Sequence, residues 1–264
     1  YGNGESEKLI GRFLQADRTR RDRVFIASKA HIDEMSAAMM LTKIEQSLKR
    51  LQTDVIDLYY IHWPRTGQDM RPLMEGLESA RAQGKIRAAG VSNFSVAQMQ
   101  QLAEVGTIDA HQLGYNLLWR APEHDILPYC HANDIAVVAY SALAHGILAG
   151  KYTQQLHFAP DDQRWNILHF REDIWPKLYA DVQQMKHVAT GAGRSLIDLS
   201  LRWLLNQPAV KIVLVSAKAP RQARDNASAL DGEIPDAIFN KLTELSNIAM
   251  QHIPNAGNPF GYNP

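Results

Sequence analysis

Reactive side chains recur in this sequence where short apolar runs end. Lys29 closes the run 24–29, and His62 closes 55–62 before Trp63 and Pro64. Ser92 and Asn93 follow the run 86–91, and Gln112 lies in 110–115. Tyr140 and Ser141 stand near the end of 135–143, and Ser216-Ala217-Lys218 follow 210–215. A random set of run ends would mix turn residues. This set supplies a cation, an imidazole, groups able to bind an amide, an aromatic face and a cation suited to phosphate. A helix expected over 222–229 follows the last run, and a helix N-terminus beside Lys218 favours an anion.

Other chemistries lack a signal. No Gly-x-Gly-x-x-Gly follows a strand, and neither His-Glu-x-x-His nor Gly-x-Ser-x-Gly occurs. The stretch Gly146 to Tyr152 is a near miss for a phosphate loop, with the wrong spacing and a tyrosine where a hydroxyl for magnesium is needed. A single cysteine, Cys130, allows neither an internal disulfide nor a thiolate cage, so no metal is expected; it fits a reducing cytoplasm as a buried small hydrophobe. The remaining histidines, His111 among them, show no ligand spacing and read as surface or core residues. Lysine plus arginine balance aspartate plus glutamate at 28 each, which gives no reason to expect nucleic acid or an anionic membrane. The longest apolar run, 135–144, is shorter than the roughly 18 residues of a membrane span.

The elements that must carry these residues alternate. Helices are expected over 4–15, 36–51, 72–83, 95–105, 123–132, 174–190, 196–206, 222–229 and 235–248. Leu9, Ile10, Phe13 and Leu14 mark the apolar face of the first. Strands are expected over 24–29, 55–62, 86–91, 110–115, 135–143 and 210–215, several of them apolar on both faces as in a covered parallel sheet. Residues 152–173 break the rhythm and read as a long functional or mobile loop. The tail 255–264 is turn-rich. An α/β fold follows, either doubly wound or a barrel, with ligands at the carboxyl ends of the strands.

The chain resembles an aldo-keto reductase. The resemblance is carried by Tyr1-Gly2-Asn3-Gly4-Glu5-Ser6-Glu7, Ser28-Lys29, residues 47–51 with 54–64, and residues 84–87 with Gly90-Val91-Ser92-Asn93-Phe94. Gln112, Tyr140 to Leu143 with Gly150-Lys151, and Ala217-Lys218 with Gln222 and Asn226 complete it in the family's order. The resemblance implies a (β/α)8 TIM barrel that binds NADP(H) without a Rossmann fold. It implies a small-molecule carbonyl or alcohol substrate and leaves the oligomeric state open.

The same resemblance implies site roles. Tyr1 would be the general acid, Lys29 the ammonium that lowers its pKa from about 10, and His62 the group that orients the carbonyl. Ser92, Asn93 and Gln112 would hold the nicotinamide carboxamide, and Tyr140 would stack on the ring. Ser141, Leu143 and Lys151 would meet the pyrophosphate, with Arg164 folding over it from the irregular loop. Ser216, Lys218 and Gln222 would receive the 2′-phosphate, and Asp225 and Asn226 the adenine. Ser216 departs from the glycine common in relatives.

The family's fourth catalytic member, an aspartate shortly before the tyrosine, has no counterpart in this sequence. Six strands are expected where a closed barrel needs eight, so the sequence reads as one barrel domain over 1–264 lacking its N-terminal strands. A cofactor-binding regulatory role, as in potassium-channel β subunits, and an inactive fragment are the alternatives to catalysis.

Overall fold

The computed structural model describes residues 2–31 and 33–254. Strands β1 (Ala27–Ala30), β2 (Ile56–Ile61), β3 (Ile86–Ser92), β4 (Ala110–Gly114), β5 (Ala136–Tyr140) and β6 (Val210–Val213) form one sheet in that order. The pairs β1–β2, β2–β3, β3–β4 and β5–β6 are parallel. The order rises without reversal, as in a barrel wall, whereas a doubly wound sheet reverses at a switch point. Every residue of β2 and of β4 is buried, the polar Asp57, His111 and Gln112 included, as in a sheet covered on both faces.

Helix α1 (Glu5–Gln15) precedes β1, and between the strands lie α2 (Ala37–Leu51), α3 (Arg71–Ala82), α4 (Val96–Ala103) and α5 (Ile126–Ala132). The helices α6 (Trp175–Gly191), α7 (Leu196–Leu205), α8 (Pro220–Ser228) and α9 (Asp236–Met250) follow β5. Local sequence sets their ends. Ser36 caps α2 by accepting from the Met39 amide. Ser95 with Gln98, and Ser195 with Asp198, form reciprocal capping boxes at α4 and α7. Helix α2 buries Met40, Ile44, Ser47 and Leu51, a single stripe at helical spacing.

The chain divides into two compact units. Among the described residues, one gathers those up to Gln112 together with Tyr129–Ala136; the other takes Leu113–Pro128 and residues 137–254. In the first, β1 starts three residues later than expected. Ile26 has its amide taken by the Asp57 carboxylate at 2.8 Å, so a side chain replaces the ladder there. In the second, β5 ends at Tyr140 because Ser141 turns into the left-handed region at φ 54°.

Helix α1 corrects an expectation. Leu9 and Phe13 are exposed, and the buried positions are Glu7, Gly11 and Leu14. The reason is backbone proximity: a Cβ at Gly11 would lie 2.4 Å from the Arg50 carbonyl oxygen, so only glycine lets α1 settle on the end of α2. Gly11→Ala is expected to destabilise the fold by about 1–3 kcal/mol, the range for overpacking. Gly191→Ala, where no atom lies within 4 Å, should change stability by less than about 1 kcal/mol. Urea midpoints of the two variants check the contrast.

Candidate active site

Four of the six chemistry-bearing strand ends lie in the first unit. Lys29 pairs in register with Tyr60 on β2, and its Nζ donates to Gln112 Oε1 at 2.5 Å. Burial lowers the Lys29 pKa to about 8. His62 follows β2, its amide donating to the Ala30 carbonyl at 3.1 Å. Burial, then the Lys29 and His31 charges, press the His62 pKa down to about 3, so the imidazole is neutral at physiological pH. The His31 ring lies 4.2 Å from it, centroid to centroid.

Ser92 closes β3, and Asn93 adopts a left-handed conformation at φ 65°. The Asn93 amide donates to the Gln112 carbonyl at 3.0 Å. Its side-chain nitrogen reaches the His62 carbonyl at 3.3 Å and Ser92 Oγ at 3.0 Å. A cleft of about 420 Å³ opens beside Lys29 and His62, with Asn3, Gly4 and Arg50 in its wall. Tyr1, the expected acid, lies outside the described residues.

The start of α1 is fixed from below. Glu7 accepts from Ser28 Oγ at 2.5 Å and from Arg50 Nε at 2.6 Å. Burial raises the Glu7 pKa, but hydrogen bonds from Ser28 and Arg50 outweigh it and hold the carboxyl below its usual range. Ser28 precedes Lys29, so the same carboxylate ties the helix start to the strand that carries the lysine.

The second unit holds the remaining expected residues. Tyr140 ends β5, with the Trp119 ring edge-on at 6.0 Å. Ser141, Ala144, His145, Gly146 and Gly150 all have positive φ, which winds the chain into a tight turn. Its internal bonds use the amides of Ala144, Gly146, Ile147, Leu148 and Gly150. A Cβ at Gly146 would meet Lys151 Cε at 2.8 Å, so the lysine lies against this turn. Arg164 donates to Asp162 at 2.5 Å and to the Tyr152 hydroxyl at 3.1 Å, and covers the Phe158 ring at 4.2 Å.

Beyond β6, α8 begins at Pro220, two residues earlier than expected, because proline suits the first helical turn. Gln222 therefore sits inside the helix and accepts from the Lys218 amide at 2.7 Å. Asn226 Nδ2 reaches back to the Ser216 carbonyl at 3.5 Å, while Asp225 pairs with Arg221 at 3.5 Å. Ala219 offers no side-chain cap, so the N-terminus of α8 is left to other acceptors.

The sequence model of the Aldo/keto reductase family matches residues 1–247. The chain belongs to that family. Aldo-keto reductase YhdN of Bacillus subtilis is 37% identical over 231 residues, covering 84% of this chain and 70% of its own. The solved glycerol dehydrogenase AKR11B4 from Gluconobacter oxydans superposes with a TM-score of 0.87 at 31% identity, over 98% of this chain and 81% of that one. An aldo/keto reductase from Klebsiella pneumoniae, solved in complex with NADP and acetate, gives 0.73 at 28%, over 98% and 80%.

The strand order is thus that of the family's (β/α)8 barrel, to which the described residues contribute six strands. Three buried polar residues to which the sequence assigned no role brace the strand ends of this reductase: Glu7, His111 and Asn116. Only Glu7, a carboxylate among apolar residues of an amphipathic helix, left a trace in the pattern.

The Lys29 pKa sets a pH dependence. Above about pH 8 the ammonium is lost, so a reduction that draws on this charge should slow as pH rises. A kcat/KM profile is expected to fall on the alkaline side with a midpoint near 8, and Lys29→Arg should move that limb upward. An unmoved limb would assign the titration to another group.

Proposed function

We propose that this aldo/keto reductase reduces an aldehyde or ketone to an alcohol with NADP(H). One observation carries the reading: the ends of β1 to β4 gather a half-buried ammonium, a neutral imidazole and two side-chain amides at one place. The cofactor's reduced nicotinamide, when bound, supplies hydride to the carbonyl carbon.

The residues present fit such a cofactor. Ser92, Asn93 and Gln112 are buried, and each can donate and accept, as a carboxamide requires. The turn that follows β5, with Ser141 and Leu143 in it and Lys151 lying against its Gly146, suits a pyrophosphate. The uncapped start of α8, with Lys218 before it, suits a further phosphate.

In the proposed reaction Tyr1 donates its phenolic proton to the carbonyl oxygen. Lys29, mostly protonated below pH 8, stabilises the phenolate that remains. His62 donates an N–H to the same oxygen as negative charge develops there. Its low pKa suits this role, because a neutral imidazole directs a hydrogen bond without adding a second positive charge beside Lys29. Hydride on carbon and the tyrosine proton on oxygen complete the alcohol, and Tyr1 regains its proton from solvent.

Turnover of a small aldehyde, followed by NADPH absorbance, tests the reading directly. His62→Ala should lower kcat by about a hundredfold, as for loss of an oxyanion donor, with NADPH affinity unchanged. Full turnover in that variant would remove His62 from the site. Binding of NADPH without any turnover in the wild-type chain would favour the cofactor-binding regulatory role.

Cofactor choice is expected to follow Lys218. Lys218→Ala should weaken NADPH binding by about 1–3 kcal/mol and leave NADH nearly unaffected, measured by fluorescence titration. Equal weakening of both would place Lys218 away from the 2′-phosphate.

A further inference from the structure

His111 stands one residue before Gln112 on β4 and points the other way along the pleat. It is fully buried, and its two ring nitrogens face the Phe94 amide and Cys130, neither of them a residue expected to touch substrate or cofactor. Its Nε2 lies 3.1 Å from the Phe94 amide and accepts that proton. Nδ1 must then carry the ring hydrogen, and Cys130 Sγ on α5 lies 3.8 Å from it. Both partners are held neutral by burial, His111 with a pKa near 3 and Cys130 near 12.

The Phe94 amide is the next peptide after Asn93, the residue at φ 65°. Asparagine tolerates this region better than other residues with a side chain, yet it costs more than the ordinary strand conformation, so its neighbours must favour it. The β3–β4 ladder runs out at Ser92 opposite Gln112, and α4 starts only at Val96. The Phe94 amide therefore belongs to neither element, and Phe94 itself is buried away from water. An imidazole supplies the acceptor that regular structure does not.

We infer that His111 is a positioning residue: braced by Cys130, it holds the Phe94 peptide and so fixes Asn93 in the left-handed turn that places its side-chain amide between Ser92 and His62. The inference rests on the proposed reductase reading for its consequence, since Asn93 is there a cofactor contact. Without the acceptor, the buried N–H seeks another partner, the Asn93 peptide rotates, and the Asn93 bond to the His62 carbonyl is lost. Cofactor binding and the placement of His62 then suffer together, although neither group has been changed.

Three variants separate this from a plain core role. Gln places an amide oxygen near the position of Nε2, Asn carries the same group too short to reach, and Leu removes it. His111→Gln should keep NADPH affinity and kcat within about twofold of wild type. His111→Asn and His111→Leu should weaken NADPH about tenfold, the cost of one stranded hydrogen bond. All three should lose thermal stability, because all disturb the same packed site. If affinity followed melting temperature across the series, or if His111→Asn bound NADPH as wild type does, the inference would fail.

Amide exchange of the Phe94 segment, measured without cofactor, makes the test independent of catalysis. Protection at Phe94 should survive in His111→Gln and collapse in His111→Asn. Loss of protection in His111→Asn with no NADPH binding in any form, wild type included, would leave the brace intact and overturn the reductase reading. Unchanged protection in His111→Asn would overturn the brace itself.

Discussion

The bond from Lys29 Nζ to Gln112 Oε1 spans β1 to β4, and the rest of the first unit is arranged so that it can form. Parallel register brings Lys29 level with Tyr60, and Tyr60 level with Gly90. Gly90 cannot be anything larger, since a Cβ there would lie 2.5 Å from the Tyr60 ring. The ring thus fills the space above β3, and its hydroxyl is hydrogen-bonded to Gln112, which the lysine also meets. A lysine half-withdrawn from water would otherwise be costly, and the amide oxygen offsets part of that cost without neutralising the charge.

The chain leaves two strand ends in the same way. Asn93 after β3 and Ser141 after β5 both turn left-handed, and each turn is held by a buried side chain. In the first unit His111 accepts from the Phe94 peptide; in the second, Asn116 Nδ2 donates to the Ser141 carbonyl at 2.9 Å. A left-handed residue ends a strand abruptly and frees the next few peptides to face a ligand. At Phe94 no ladder or helix supplies the partner, and at Ser141 the Asn116 amide joins the Ala144 amide on the same carbonyl. The polar residues His111 and Asn116 are buried for this reason.

Much of this was legible in the sequence. Strand positions followed from β-branched runs, and Lys29, His62, Ser92, Asn93 and Gln112 could be gathered because parallel strands present their carboxyl ends together. What was not legible depended on contacts distant in the chain. The apolar face expected for α1 competes with a single close approach at Gly11, and that approach wins by placing Glu7 between Ser28 and Arg50. The start of β1 was masked because Asp57, the second residue of β2, satisfies Ile26. His111 looked like one histidine among ten, since nothing local announces that a peptide seventeen residues earlier needs its nitrogen.

The electrostatics of the first unit follow from the same packing. Burial depresses both bases, but by amounts that leave Lys29 near 8 and His62 near 3. Neutral solution lies between these values, so one group is charged and the other is not. The two states reinforce each other: the Lys29 ammonium helps keep the imidazole unprotonated, and an uncharged His62 leaves the ammonium free of a second cation's repulsion. Environments that push two titratable groups apart assign them different tasks. Here the strand ends yield one cation to stabilise a phenolate and one neutral donor for a carbonyl oxygen, and the division is set by depth in the fold before any ligand arrives.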